Sequence, residues 1–175
     1  MLNLVRQSKS RKPKLMMNGH TDEIYTPKYA LNPLLPYLKK EWIIWENAWG
    51  TGVLAKHLRE KGFKVDNRDG DIIVTNPPYS KKEEFLEIAY KSRKPFAYLL
   101  PLTALEGIKR GALYKKYGLQ LIIPNRRINF IMPNKQGTAW FQTAWFTNGL
   151  NLPRDLIFVE LDKTTTKLRE HFKKC

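Results

Sequence analysis

Asp71-Ile72-Ile73-Val74-Thr75-Asn76-Pro77-Pro78-Tyr79 is the stretch on which the fold turns. Ile72, Ile73 and Val74 form an apolar run with no polar alternation, the pattern of a parallel strand buried on both faces. Pro77 and Pro78 have no amide hydrogen to give to a sheet ladder, so the strand must stop there. An amide side chain, a rigid pair of carbonyls and an aromatic ring are thereby fixed at the carboxyl end of a strand. In open α/β sheets, ligands bind beyond that edge.

Upstream, Trp42-Ile43-Ile44-Trp45-Glu46 is a second short apolar strand, and it runs into Asn47-Ala48-Trp49-Gly50-Thr51-Gly52. Val53, Leu54, His57 and Leu58 then recur at helical spacing as far as Lys61, and Gly62 closes the helix. Strand, Gly-x-Gly turn and helix make the nucleotide-binding opening of a doubly wound fold, because glycines let backbone approach a ligand. Thr26-Pro27, followed by Tyr29, Ala30, Leu31, Leu34, Leu35 and Leu38, predicts a helix with Pro27 in its first turn, weakened and open to breakage at Pro33 and Pro36. Phe63-Lys64-Val65 predicts a strand with Asp66 at its end.

Downstream, Lys81 to Lys91 has helical spacing, with Ser80 as expected N-cap and Glu83 and Glu84 in the first turns. Phe96 to Leu102 is another buried strand, and Leu105 to Tyr117 a helix closed by Gly118. Leu119 to Ile123 begins a strand that Arg127 to Met132 is expected to continue. Thr138 to Thr147 and Leu156 to Leu161 predict late antiparallel strands. No repeat or linker divides the chain. The expected organisation is a basic flexible arm over 1–20 containing Lys12 and Lys14, one domain over 21–162, and a basic tail over 163–175.

The chain has 175 residues, 42% of them hydrophobic, enough for one domain with a real core. No apolar run approaches the ~20 residues that span a bilayer, and the N-terminus is polar and basic, unlike a signal peptide. A cytoplasmic location, bacterial or in a phage-infected host cell, is expected. Cys175 is the single cysteine, which excludes an internal disulfide, and His20, His57 and His171 offer no metal-ligand spacing. Lys and Arg number 31 against 16 Asp and Glu, a net charge of +15 that attracts polyanions. Nucleic acid is the expected partner, with no membrane.

Asn76-Pro77-Pro78-Tyr79 resembles the signature of the amino-methyltransferases, which move a methyl group from S-adenosylmethionine to an exocyclic or side-chain amide nitrogen. Together with Glu46–Gly52, and more loosely with Pro101–Leu105, Asn125–Phe130 and Trp140–Phe146, it resembles phage-type DNA N6-adenine methyltransferase-like proteins over about residues 21–161. The resemblance implies a compact Rossmann-like class I methyltransferase fold, with a mainly parallel sheet and a late antiparallel strand. It implies catalytic roles at Asn76, Pro77, Pro78 and Tyr79. The Asn76 side-chain oxygen and the Pro77 carbonyl would accept the two amino protons, and Tyr79 would stack on a flipped adenine.

The same resemblance assigns S-adenosylmethionine to Thr26, Pro27, Glu46, Asn47, Gly50, Gly52 and Asp66. Asn47 stands where the family has proline, and Trp49 is large for a ligand loop, so packing and cofactor contact both stay open for it. Only Asp66-Asn67-Arg68-Asp69-Gly70 separates Val65 from the next strand, expected over Asp71 to Thr75, whereas a parallel crossover needs roughly a dozen. The sheet is therefore expected to be trimmed between strands two and four, leaving Asp66 either on the ribose or beside an incomplete pocket. Lys81, Lys82, Arg126 and Arg127 are candidate nucleic-acid contacts, the arginines clamping phosphate or lying on a solvated loop. Trp140, Trp145 and Phe146 are expected in the core. Methylation of adenine in DNA is the expected activity. The alternatives are a catalytically degenerate nucleic-acid-binding protein, or an enzyme methylating RNA or a protein glutamine, with a homodimer or accessory subunit possible in each case.

Overall fold

The computed structural model describes residues 24–131 and 141–163. The basic arm with Lys12 and Lys14, Trp140, and the tail beyond Lys163 lie outside the described residues. Among the described residues seven strands and three helices follow in chain order: β1 (Ile43–Trp45), α1 (Val53–Glu60), β2 (Lys64–Asp66), β3 (Ile72–Thr75), α2 (Lys82–Ser92), β4 (Phe96–Pro101), α3 (Ile108–Tyr117), β5 (Gln120–Pro124), β6 (Thr143–Asn148) and β7 (Leu156–Val159). They form one sheet in the order β2-β1-β3-β4-β6-β5-β7. Every pairing is parallel except those of β6, which runs antiparallel to both β4 and β5. The protein is an α/β domain with a mostly parallel mixed sheet, compatible with a Rossmann-like fold.

The apolar runs are continuous because both faces of the sheet are covered. Ile72, Val74, Ala97, Leu99 and Trp145 face a core closed by Leu54 and Leu58 of α1 and by Tyr29, Leu31 and Leu34. Their neighbours Ile73, Phe96, Tyr98, Leu100, Ala144 and Phe146 face Leu86, Ala89 and Tyr90 of α2. Trp145 and Phe146 are fully buried, as expected, and the Trp145 Nε1 donates to the Ala30 carbonyl at 2.9 Å. Among the described residues no helix is long and apolar enough to cross a membrane.

Several local expectations are corrected. The helix expected from Thr26 is two separate 3-10 turns, Lys28–Leu31 and Leu35–Tyr37, because Pro33 and Pro36 lack the amide hydrogens a continuous helix needs. Ser80 does not cap α2; it lies inside a 3-10 turn, Tyr79–Lys81, and the helix starts after Lys81 without a side-chain cap. The third helix begins at Ile108 rather than Leu105, after a 3-10 turn over Leu102–Leu105. Arg127 to Ile131 does not extend β5; Ile131 instead exchanges two hydrogen bonds with Tyr25, at 2.9 and 3.1 Å. The strand at 156–159 is parallel to β5, not antiparallel. Gly149 and Asn151, both with positive φ, turn the chain after β6 back to the outer side of β5, and no local pattern in β7 encodes that direction.

The connection from β2 to β3 is five residues long. Strands β2 and β3 flank β1 on opposite sides, so residues 67–71 must pass across it. Gly70 makes the passage: a Cβ there would lie 2.5 Å from the Ile43 carbonyl oxygen and 2.7 Å from the Trp45 nitrogen. Asp71 seals the crossing by donating its amide to the Ile43 carbonyl and accepting the Ile43 amide on its carboxylate, both at 2.8 Å. Lys94 straps it from outside, donating to the Gly70 carbonyl at 2.6 Å and pairing with Asp69 at 3.0 Å.

Candidate functional site at the carboxyl edge of the sheet

β1, β3 and β4 are parallel neighbours, so the residues that follow them meet at one edge. Glu46 and Asn47 leave β1, Asn76 to Tyr79 leave β3, and Leu102 leaves β4. Glu46 is 2% exposed. Its Oε1 accepts the Thr75 hydroxyl, from the end of the adjacent strand, and the Ala48 amide at 3.1 Å. Burial pushes its carboxyl up, and the bonds from Thr75 and Ala48 pull the other way. No ion pair reaches Glu46 from any described residue. A buried carboxylate with donors but no cation is an acceptor suited to a cationic ligand group.

Asn47 donates from Nδ2 to the Tyr98 hydroxyl at 3.0 Å, which joins β1 to β4 across β3. Its Oδ1 is buried and accepts no hydrogen bond among the described residues. Burial raises the Tyr98 hydroxyl well above its ordinary range; the bond from Asn47 opposes this and the nearby Glu46 adds to it. Thr75 and Tyr98 therefore belong to the site, although neither stood out in the sequence. The only signal was a hydroxyl at the end or middle of an otherwise apolar strand.

Asn76 is held from the opposite side. Its Nδ2 points at the Ile24 carbonyl at 3.4 Å, while Oδ1 is buried with no donor among the described residues. Ile24 begins the segment Ile24-Tyr25-Thr26-Pro27, so the Thr-Pro and Asn-Pro-Pro-Tyr motifs, distant in sequence, are brought together here. Thr26 is buried, at 3% exposure. Tyr79 is 6% exposed and packs edge-on against Phe141, with ring centroids 5.6 Å apart, and against Phe130 at 6.3 Å. The three rings wall one side of the motif. Phe130 and Phe141, from the β5–β6 connection, were not singled out as site residues, because the apolar pattern around them is the same as for core.

The other candidates stand further out. Gly50 and Gly52 both have positive φ, which the turn into α1 requires. Trp49 covers the second: its Nε1 lies 3.2 Å from where a Cβ on Gly52 would be, and Arg59 sits over the indole at 5.2 Å. Trp49 thus packs on its own loop. Asp66 is exposed at the end of β2, and its Oδ1 accepts the Arg68 amide at 2.7 Å. Its carboxyl is lowered chiefly by that bond. Its backbone carbonyl accepts the Glu46 amide at 2.9 Å, so the two acids end neighbouring strands. Lys81 is exposed in the turn after Tyr79, and Lys82 donates to the Tyr79 carbonyl at 3.0 Å. Arg126 and Arg127 are exposed beyond β5, whose carboxyl end lies at this same edge because β4 and β5 both run antiparallel to β6. No protein-family model matches the chain, and no curated protein matches it.

Proposed function

We propose that the chain transfers a methyl group from S-adenosylmethionine to the exocyclic amino group of adenine in DNA. The observation that carries this is Asn76: a rigidly placed, buried amide oxygen that accepts nothing from the described residues, at the carboxyl end of a central parallel strand. A buried acceptor left unmade costs about 1–3 kcal/mol, a cost recovered when an amino group donates to it. The late antiparallel β6 and the short 67–71 crossing support the finer assignment, a class I methyltransferase fold trimmed between strands two and four.

The residues fit the donor at its two polar ends. Glu46 is a buried acid with no cation among the described residues, suited to an ammonium. Asp66 ends the adjacent strand, with its carboxylate in solvent within reach of hydroxyls. When bound, the donor supplies a methyl already activated as a sulfonium. The chain contributes orientation. Asn76 Oδ1 and the Pro77 carbonyl would accept hydrogen bonds from the two amino hydrogens and localise a lone pair otherwise delocalised into the ring; the proton that the methylated nitrogen sheds passes to water, and such positioning contributes several kcal/mol. Thr75 holds the Glu46 carboxylate in place. Tyr79, Phe130 and Phe141 keep the motif dry on one side, and the net charge of +15 draws the DNA.

The test is paired: calorimetric titration of S-adenosylmethionine, and transfer of labelled methyl into DNA. Asn76→Ala should keep donor affinity and lose transfer about 100-fold, and Glu46→Gln should weaken donor affinity. Absence of donor binding, with and without DNA, overturns the assignment. A second reading, a nucleic-acid-binding protein without turnover, is favoured by one observation, the Trp49 indole over Gly52. DNA binding without donor binding would select it.

A further inference from the structure

The connection from β4 to α3 is a rigid knuckle that carries bare aliphatic side chains. Ile108 is 95% exposed and Leu105 43%. Isolated exposed aliphatics are ordinary, but here the backbone beneath them is pinned. The Arg110 side chain, only 13% exposed, donates from Nε to the Ala104 carbonyl at 3.0 Å and from Nη2 to the Glu106 carbonyl. Its Nη1 binds Glu83 at 3.2 Å. The Tyr114 hydroxyl donates to the same Ala104 carbonyl at 3.0 Å. Gly107, at φ +117°, passes so near the guanidinium that a Cβ would lie 2.6 Å from Nη2.

This knuckle leaves β4 at the edge where Asn76 leaves β3, and Glu83 ties it to the helix that follows Tyr79. Behind it, α3 carries Lys109, Arg110, Lys115 and Lys116 with no acid, and none of its residues is buried.

We propose that Leu105 and Ile108 form an apolar wedge that enters the base stack of duplex nucleic acid beside the base presented to Asn76, with the α3 lysines on the flanking phosphates. This rests on the function proposed above and deepens it. Taking a base out of a duplex costs unstacking, and an inserted aliphatic side chain fills the gap left behind. Charge selects the occupant. A polyanion complements the lysines beside the wedge, whereas a second copy docked symmetrically would set the same cations against each other.

The experiment is fluorescence anisotropy at low salt with a matched duplex, the same duplex with a central abasic site, and the single strand. An abasic site removes most of the unstacking cost, so the unaltered protein should bind it about tenfold tighter than the matched duplex. The double variant Leu105→Ala/Ile108→Ala, both at exposed positions, should lose most of that preference and bind the single strand within about twofold of the parent. Equal affinity of the unaltered protein for both duplexes, or a variant that keeps the full preference, overturns the wedge. So does self-association in sedimentation that Ile108→Glu abolishes. A wedge signature without donor binding would sink only the methyltransferase assignment; methyl transfer without the abasic preference would sink only the wedge.

Discussion

The two halves of the sheet are built differently. β4 and β6 are six residues long, with every position of β4 and five of β6 buried, and they pair along their whole length. β1 and β2 are three residues each, β2 has no buried position, and their end of the sheet is closed by a five-residue crossing. The thick half is held by interlocked side chains. The thin half, where the proposed donor would sit, is held by backbone contacts at Gly70 and Asp71 and by the Lys94 strap. Asn76 stands on the boundary, so its position depends on both kinds of support.

The largest effect should come from the thick half. Trp145→Ala removes a fully buried indole and its bond to Ala30 and should cost about 4 kcal/mol in denaturant unfolding. A loss below about 1 kcal/mol would break the comparison. Next is Gly70→Ala, which drives a methyl group into the β1 backbone on contacts that cannot rotate away; it should cost about 3 kcal/mol. If that variant is as stable as the parent, the crossing does not lie against β1.

Glu46→Gln sharpens the contrast through pH. Burial raises the Glu46 carboxyl, so the folded state holds its proton more tightly than the unfolded chain. Stability therefore falls as pH rises from the ordinary carboxylate range through the raised value. Glutamine keeps an oxygen for Thr75 and Ala48 without the charge. The variant should melt higher than the parent at neutral pH, and the gain should vanish below the ordinary carboxylate range. A pH-independent difference would show that Glu46 is not buried as an acid. The smallest effect belongs to Lys94→Ala. Losing the bond to the Gly70 carbonyl should cost about 1 kcal/mol, roughly a 3 °C fall in Tm. It should come with faster amide exchange at Asp71 and little change in β4.

Much of this was legible locally. The apolar run ending in Asn-Pro-Pro-Tyr marked β3 and its end to within a residue, and the Gly-x-Gly turn placed α1 correctly. The short spacing after Asp66 announced the abrupt passage from β2 to β3. Ser80 failed as a cap because a proline-led 3-10 turn occupied its place, and Tyr98 stayed hidden because a buried tyrosine and a functional one share the same apolar surroundings.

By itself the chain determined the strands of the first half, where β3 stops, that no ordinary crossover fits between Asp66 and Asp71, and that the net charge is cationic. These follow from hydrogen-bond donors that proline lacks, from the reach of a few residues and from summed charge. Only the tertiary structure decided that 67–71 passes over β1 at Gly70, that Trp49 folds onto Gly52, that β7 runs parallel to β5, and that Ile24 holds Asn76. Each of these is a contact between segments whose local patterns are compatible with more than one partner, and packing alone selects among them.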